Sequence, residues 1–197
     1  MGEMRAGEQV CRRCGMVLEG VDVCIGCLSS PPPWKGLSFW GGYKGILKEM
    51  IGRFKYRADF SLLSILQDFL FTAYCKLGLE VDMVVAVPLH QERLRRRGFN
   101  QALEIGKVFK KKAVAPIHSH ALIRIRETPP QVGLPRRERL KNVRGAFIGR
   151  EELVKGKRVL LVDDVYTTGA TLRECTHVLL QAGARDVAVV VVARTLE

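Results

Sequence analysis

Two places in the sequence combine residue types and spacings that could do chemistry. The first reads Val159-Leu160-Leu161-Val162-Asp163-Asp164-Val165-Tyr166-Thr167-Thr168-Gly169-Ala170-Thr171. An apolar run delivers two adjacent carboxylates, and small hydroxyl residues around one glycine follow. Adjacent carboxylates suit a vicinal diol, since each accepts a hydrogen bond from one hydroxyl, and they could hold a pyrophosphate-bearing magnesium ion through water. Thr167 and Thr168 offer hydroxyl donors, and Gly169 lets backbone N–H groups approach a phosphate closely. A helix starting near Thr171 adds free N–H groups and the positive end of its dipole. An apolar strand ending in two acids also occurs in P-loop NTPases, but no G-x-x-x-x-G-K-[ST] segment is present. A response-regulator receiver needs a later phosphoacceptor aspartate, and only Asp186 follows Asp164.

The second place is Cys11-x-x-Cys14 with Cys24-x-x-Cys27, two pairs nine residues apart. Each pair puts two sulfurs on one knuckle, and two knuckles build a tetrahedral four-sulfur site suited to zinc. Iron–sulfur ligation is the less favoured use of the same thiols. A segment of roughly 30 residues has too little core to fold without such a staple, which makes the metal structural. Cys75 and Cys175 stand alone within helical patterns and read as buried small hydrophobes.

Several elements must position these groups. Pro31-Pro32-Pro33 separates the cysteine segment, residues 1–33, from a larger domain over 34–197. Ile46, Leu47, Met50, Ile51 and Phe54, then Leu62, Leu63, Leu66, Phe69, Leu70 and Ala73, recur at helical spacing. They predict two helices within 34–78, broken near Ala58-Asp59. Strands are predicted at Val81–Val87, Ala121–Ile125, Arg158–Val162 and Asp186–Ala193, and helices at Phe99–Lys112 and Thr171–Ala182, the latter ended by Gly183. Strands alternating with helices imply an α/β fold with a doubly wound, mainly parallel sheet, and ligands then sit beyond the carboxyl ends of its strands.

Composition narrows the setting. The 197 residues carry a formal charge of +12, with 47% apolar and 26% charged residues, as in a globular chain. The longest apolar stretch, Val187 to Ala193, is too short to cross a bilayer. The first ten residues hold no signal-peptide core, and Ala6 breaks a myristoylation match. A cytoplasmic, reducing location with no membrane insertion is therefore expected, which favours metal ligation over disulfides. The positive charge gathers in Arg93–Arg97, Lys107–Lys112 and Arg124–Arg150, a surface for polyanions.

The 159–171 segment resembles the phosphoribosyl-pyrophosphate (PRPP) motif of type I phosphoribosyltransferases. More of the chain is similar to the ComF proteins of bacterial competence. The shared features are Phe54-Lys55-Tyr56-Arg57, Val87-Pro88-Leu89-His90, Arg95-Arg96-Arg97-Gly98-Phe99-Asn100-Gln101, Thr128-Pro129-Pro130-Gln131-Val132-Gly133-Leu134 and Arg139-Leu140-Lys141-Asn142-Val143-Arg144-Gly145-Ala146-Phe147. Tyr166 departs from the leucine usual there. The resemblance implies that Asp163 and Asp164 hold ribose hydroxyls while Thr167, Thr168, Gly169, Ala170 and Thr171 cradle the 5-phosphate. The turn after Val87-Pro88 then corresponds to a pyrophosphate loop, where His90 would contact ligand, and Glu127–Lys141 to a mobile loop.

From these readings come the expected functions. One is a competence accessory protein that binds PRPP with Mg²⁺, or a related phosphorylated ribose, together with single-stranded DNA. Its backbone contacts would come from Arg93, Arg95, Arg96, Arg97, Arg136, Arg137 and Arg139, with Phe99 or Tyr166 as stacking faces. Its protein partners would be a competence helicase or a recombination mediator. The other is an active phosphoribosyltransferase of salvage or amidotransfer type. Phosphoribosyl transfer needs no dedicated nucleophile, so no motif certifies turnover.

Overall fold

The computed structural model describes residues 9–18, 20–127 and 142–195. Strand β1 (Gln9–Val10) pairs antiparallel with β2 (Val17–Leu18). The short helix α1 (Ile25–Ser29) is capped by Cys24. The main sheet contains β3 (Gly36–Gly42), β4 (Met83–Ala86), β7 (Arg158–Tyr166) and β8 (Asp186–Arg194). It runs β3-β8-β7-β4 and is parallel throughout.

Alternation of side chains along the central strands explains why both faces are covered. On β8, Val187, Val189 and Val191 enter one core with Leu172, Cys175 and Leu179 of helix α7 (Ala170–Gln181). Ala188, Val190 and Val192 enter the other. That second core is completed by α2 (Gly45–Arg57), α3 (Leu63–Cys75) and α5 (Gln101–Lys111), through residues such as Phe54, Leu66, Leu70 and Phe109. Burial on both faces is what a near-continuous apolar strand demands.

The structure departs from the sequence expectations in four ways. Gly36–Gly42 forms an edge strand that alternation did not signal, because glycine fills three of its seven positions. The 34–78 range therefore supplies a sheet strand as well as helices, and α3 is part of the core. The strand at β5 (Leu122–Arg124) pairs antiparallel with β6 (Phe147–Gly149), outside the main sheet. The reason lies at the free edge of β4, where Val84 already exchanges backbone bonds with Pro116 and His118. Residues 91–97 form helix α4 (Gln91–Arg97), opened by His90 and closed by Gly98 at φ +81°. A short helix α6 (Glu151–Val154) leads into β7. Lastly, Cys175 is buried but Cys75 is exposed, since it lies off the face carrying Leu66, Leu70 and Ala73.

Candidate functional site

A cleft of about 630 Å³ opens where β7 meets α7. Strand β7 runs further than its apolar residues alone predict. Asp163 pairs with Val191, Val165 with Ala193 and Tyr166 with Arg194, so both aspartates lie inside the strand. Asp164 is 6% exposed, and its carboxylate accepts a 2.8 Å hydrogen bond from the Lys55 ammonium of α2. Burial opposes the Lys55 charge, but the Asp164 carboxylate outweighs it and raises that lysine. Asp163 accepts the Asp164 backbone N–H at 2.8 Å. Burial, and then the neighbouring Asp164 charge, raises Asp163 well above the ordinary carboxylate range.

After Tyr166 the chain turns through Thr167 and Thr168 into Gly169. Gly169 stands at φ +73° as the residue before α7. Only glycine fits well here. A Cβ would meet the Tyr166 ring at 2.7 Å, and the left-handed backbone disfavours any side chain. Thr167, Gly169, Ala170 and Thr171 line the cleft beside both aspartates. Thr168 does not; its hydroxyl is buried without a hydrogen-bond partner among the described residues.

The opposite wall carries positive charge. Arg93, Arg96 and Arg97 of α4 line the cleft, and their i, i+3, i+4 spacing puts them on one helix face. Arg95 lies off that face and pairs with Glu92 at 2.8 Å. His90 serves as the helix cap, with Nδ1 accepting the Glu92 N–H at 3.4 Å, and is not among the lining residues. Arg136, Arg137 and Arg139 lie outside the described residues. Lining residues that sequence reasoning missed are Lys55, Arg124, Tyr43 and Tyr56. Lys55 and Tyr56 belong to the quoted Phe54-Lys55-Tyr56-Arg57 segment, which was the available signal. Burial, and then Arg93, lowers Arg124 on β5. Both expected stacking residues, Phe99 and Tyr166, line the cleft, but neither ring stands free of the fold. Phe99 packs against Phe54 and Phe60, with centroids 5.1 and 4.9 Å away, and Tyr166 is buried. Tyr56 is 71% exposed, with the Arg97 guanidinium 5.4 Å from its ring centroid. Five cations therefore face two carboxylates across the cleft, one of them raised toward its neutral form. This arrangement attracts an anion while keeping hydrogen-bond acceptors for hydroxyl groups.

The four cysteines form a separate cluster. Their Sγ atoms lie within 4.8 Å of one another, all four residues are buried, and Cys14 and Cys24 are 3.7 Å apart. A tetrahedral ion with metal–sulfur bonds of about 2.3 Å would space its sulfurs about 3.8 Å apart, so the set fits such an ion. Burial opposes a Cys11 thiolate, but backbone N–H groups, first that of Cys24, bring it down to about 6. Burial, then hydrogen bonding to the neighbouring sulfurs, raises Cys27. Four such thiols closely packed in one site suit a shared cation.

Comparison with known proteins places this architecture. Residues 110–197 match the family model described as phosphoribosyl transferase domain. The chain is 35% identical to DNA utilization protein YhgH of Escherichia coli (strain K12), over 98% of this chain and 87% of that protein. It is 31% identical to competence protein F of Haemophilus influenzae (strain ATCC 51907 / DSM 11121 / KW20 / Rd), over 93% and 84%. A glutamine PRPP amidotransferase structure from B. subtilis aligns with a TM-score of 0.46 at 23% identity, covering 65% of this chain and 26% of that one. The chain belongs to the family of DNA utilization protein YhgH and competence protein F, with a phosphoribosyl transferase domain behind an N-terminal cluster of four cysteines.

Proposed function

We propose that this protein binds PRPP with Mg²⁺, or a related ribose 5-phosphate, and single-stranded DNA, in support of DNA uptake. The observation that carries the reading is the one cleft in which Asp163, Asp164 and the loop 167–171 share walls with the arginine face of α4. The aspartates take the ribose hydroxyls and, through water, the magnesium ion. The start of α7 and the Gly169 turn take the 5-phosphate, and Arg93, Arg96 and Arg97 take the pyrophosphate or a DNA backbone. The names of the relatives support the DNA role. In that role a competence helicase or a recombination mediator is the expected partner. The four cysteines hold a structural zinc ion. Among the described residues no helix is long and apolar enough to cross a membrane, and the protein is assigned to the cytoplasm.

The deciding experiment titrates the purified protein with PRPP, Mg²⁺ and a fluorescent single-stranded oligonucleotide, separately and together. PRPP with Mg²⁺ raises the melting temperature, by the equivalent of about 2.7 kcal/mol at 100 times its dissociation constant. The oligonucleotide binds with a salt slope of roughly −0.7 per phosphate contacted. Replacing Arg93, Arg96 and Arg97 together by alanine flattens that slope, whereas Arg95→Ala changes it by less than one contact. No response to saturating PRPP removes the ligand site, and no oligonucleotide binding near physiological salt removes the DNA role.

A second reading, phosphoribosyl transfer, is favoured by the paired aspartates. DNA carries no vicinal diol for them, whereas PRPP does. Release of pyrophosphate in the presence of acceptor bases or amines distinguishes transfer from binding.

A further inference from the structure

The cysteine knuckle and the loop 167–171 are far apart in sequence but share side chains in space. Gly15 follows Cys14 at φ +72°, and its backbone lies so close to the Phe39 ring that a Cβ would clash. The Gly15 carbonyl accepts a hydrogen bond from Arg194 Nη1. Arg194, at the end of β8, is 7% exposed, and its guanidinium sits 5.9 Å from the Phe39 ring centroid and 5.2 Å from that of Tyr166. Tyr166 is the cross-strand partner of Arg194, and its ring fills the space beneath Gly169. A second route runs alongside. The Arg13 carbonyl accepts a 2.5 Å hydrogen bond from the Trp34 indole, and Trp34 meets Tyr166 edge-on at 6.3 Å. Arg173 of α7 covers Trp34, with its guanidinium 5.5 Å from the ring. Two carbonyls of the knuckle thus each hold a large side chain that packs on the ring supporting the loop.

The buried guanidinium makes this link directional. Its charge is offset by one knuckle carbonyl and two ring faces, and its Nε atom has no hydrogen-bond partner among the described residues. A buried cation deprived of its acceptor is costly, so withdrawal of Gly15 drives Arg194 toward water. Tyr166 then loses the group packed on its face, and Gly169 loses the wall that holds its turn. We infer that Arg194 and Tyr166 are positioning residues that make the folded cysteine knuckle part of the phosphate-binding loop, so that anion binding at 167–171 requires an intact knuckle. The inference rests on the ribose-phosphate site proposed above.

The test uses the full chain, zinc-loaded and after chelation, with ribose 5-phosphate as probe in calorimetric titrations. Chelation weakens ribose 5-phosphate binding at least tenfold. Arg194→Met weakens it with zinc still bound, and chelating that variant adds less than chelating the wild-type protein does, because only the Trp34 route is left to lose. Tyr166→Ala, which removes the ring, weakens it likewise with zinc still bound. Hydrogen exchange of the 167–172 amides in the unsubstituted protein, without ligand, supplies a measurement that needs no folded variant: chelation speeds it. Equal affinity before and after chelation, or unchanged exchange at 167–172, overturns the coupling while leaving the site in place. Absence of ribose 5-phosphate binding by the loaded wild-type protein, with exchange still responsive, removes the ligand assignment and leaves only a structural link.

Discussion

Replacing Gly169 by alanine isolates the turn on which the candidate phosphate site is built. Two costs combine. An L-residue at φ +73° costs about 1–2 kcal/mol relative to glycine. The new methyl also falls 2.7 Å from Tyr166 Cε2 and Oη and 2.8 Å from Cζ. That ring cannot swing aside cheaply, because Trp34 meets it edge-on and Arg194 covers it. Forcing a methyl into a filled space costs about 1–3 kcal/mol. The expected total is about 2–5 kcal/mol. Gly156 is the matched control: it stands at φ +72°, and among the described residues nothing lies within 4 Å of where a Cβ would fall, so Gly156→Ala carries the backbone cost of about 1–2 kcal/mol alone. Urea unfolding followed by circular dichroism gives both values. In thermal melts each kcal/mol corresponds to about 2–4 °C for a chain of this size. The excess of Gly169→Ala over Gly156→Ala should largely vanish in a Tyr166→Leu background, where the ring is gone. If the two alanine variants cost the same, or if the excess persists without the ring, the steric account of the loop is wrong.

Three further outcomes follow from other contacts. Lys55→Met leaves the buried Asp164 carboxylate without its ammonium partner and should cost about 3–5 kcal/mol. Pairing it with Asp164→Leu should recover most of that loss in the same urea assay, and equal losses for the single and double variants would contradict the ion-pair reading. Hydrogen bonds from the Arg158 side chain hold Asp82 down to about 2. Because this pKa is depressed, its stabilisation is present above the unfolded value of about 3.9 and is lost as pH falls through about 2. Asp82→Asn should flatten that acid limb, and an NMR titration placing Asp82 near 3.9 would refute it. Metal analysis should find one zinc per chain, lost in Cys24→Ser together with the fold of the cysteine segment. An iron chromophore, or no metal, would overturn the zinc assignment.

What the sequence disclosed and what it hid divide along physical lines. Strands β7 and β8 were legible because burial on both faces demands unbroken apolar runs, and the Thr-Thr-Gly turn was legible because only glycine suits its backbone. Strand β3 was not, since Gly36, Gly41 and Gly42 dilute its alternation. The arginines at 93–97 were visible as charge, but their division into lining and non-lining residues depends on helix α4, which a charge count does not reveal. Lys55 is 109 positions from Asp164. Helical periodicity places such a residue on a face and leaves open what that face meets across the fold. Cys75 and Cys175 look alike in sequence, and only helix phase separates the exposed thiol from the buried one.

The order of strands in the sheet also has a consequence for synthesis. Among the described residues strand β3 finds its neighbour only in β8, with Gly36 opposite Ala188, about 150 positions later in the chain. At roughly 5–20 residues per second, a ribosome needs about 8–30 s to deliver that partner. Throughout that interval Leu37 and Phe39, both buried in the finished sheet, have no strand beside them. Pairings of such long range are slow to form and expose sticky surface meanwhile. The nascent chain is therefore expected to depend on holding chaperones until β8 slots between β3 and β7, and to aggregate most readily when truncated before Asp186.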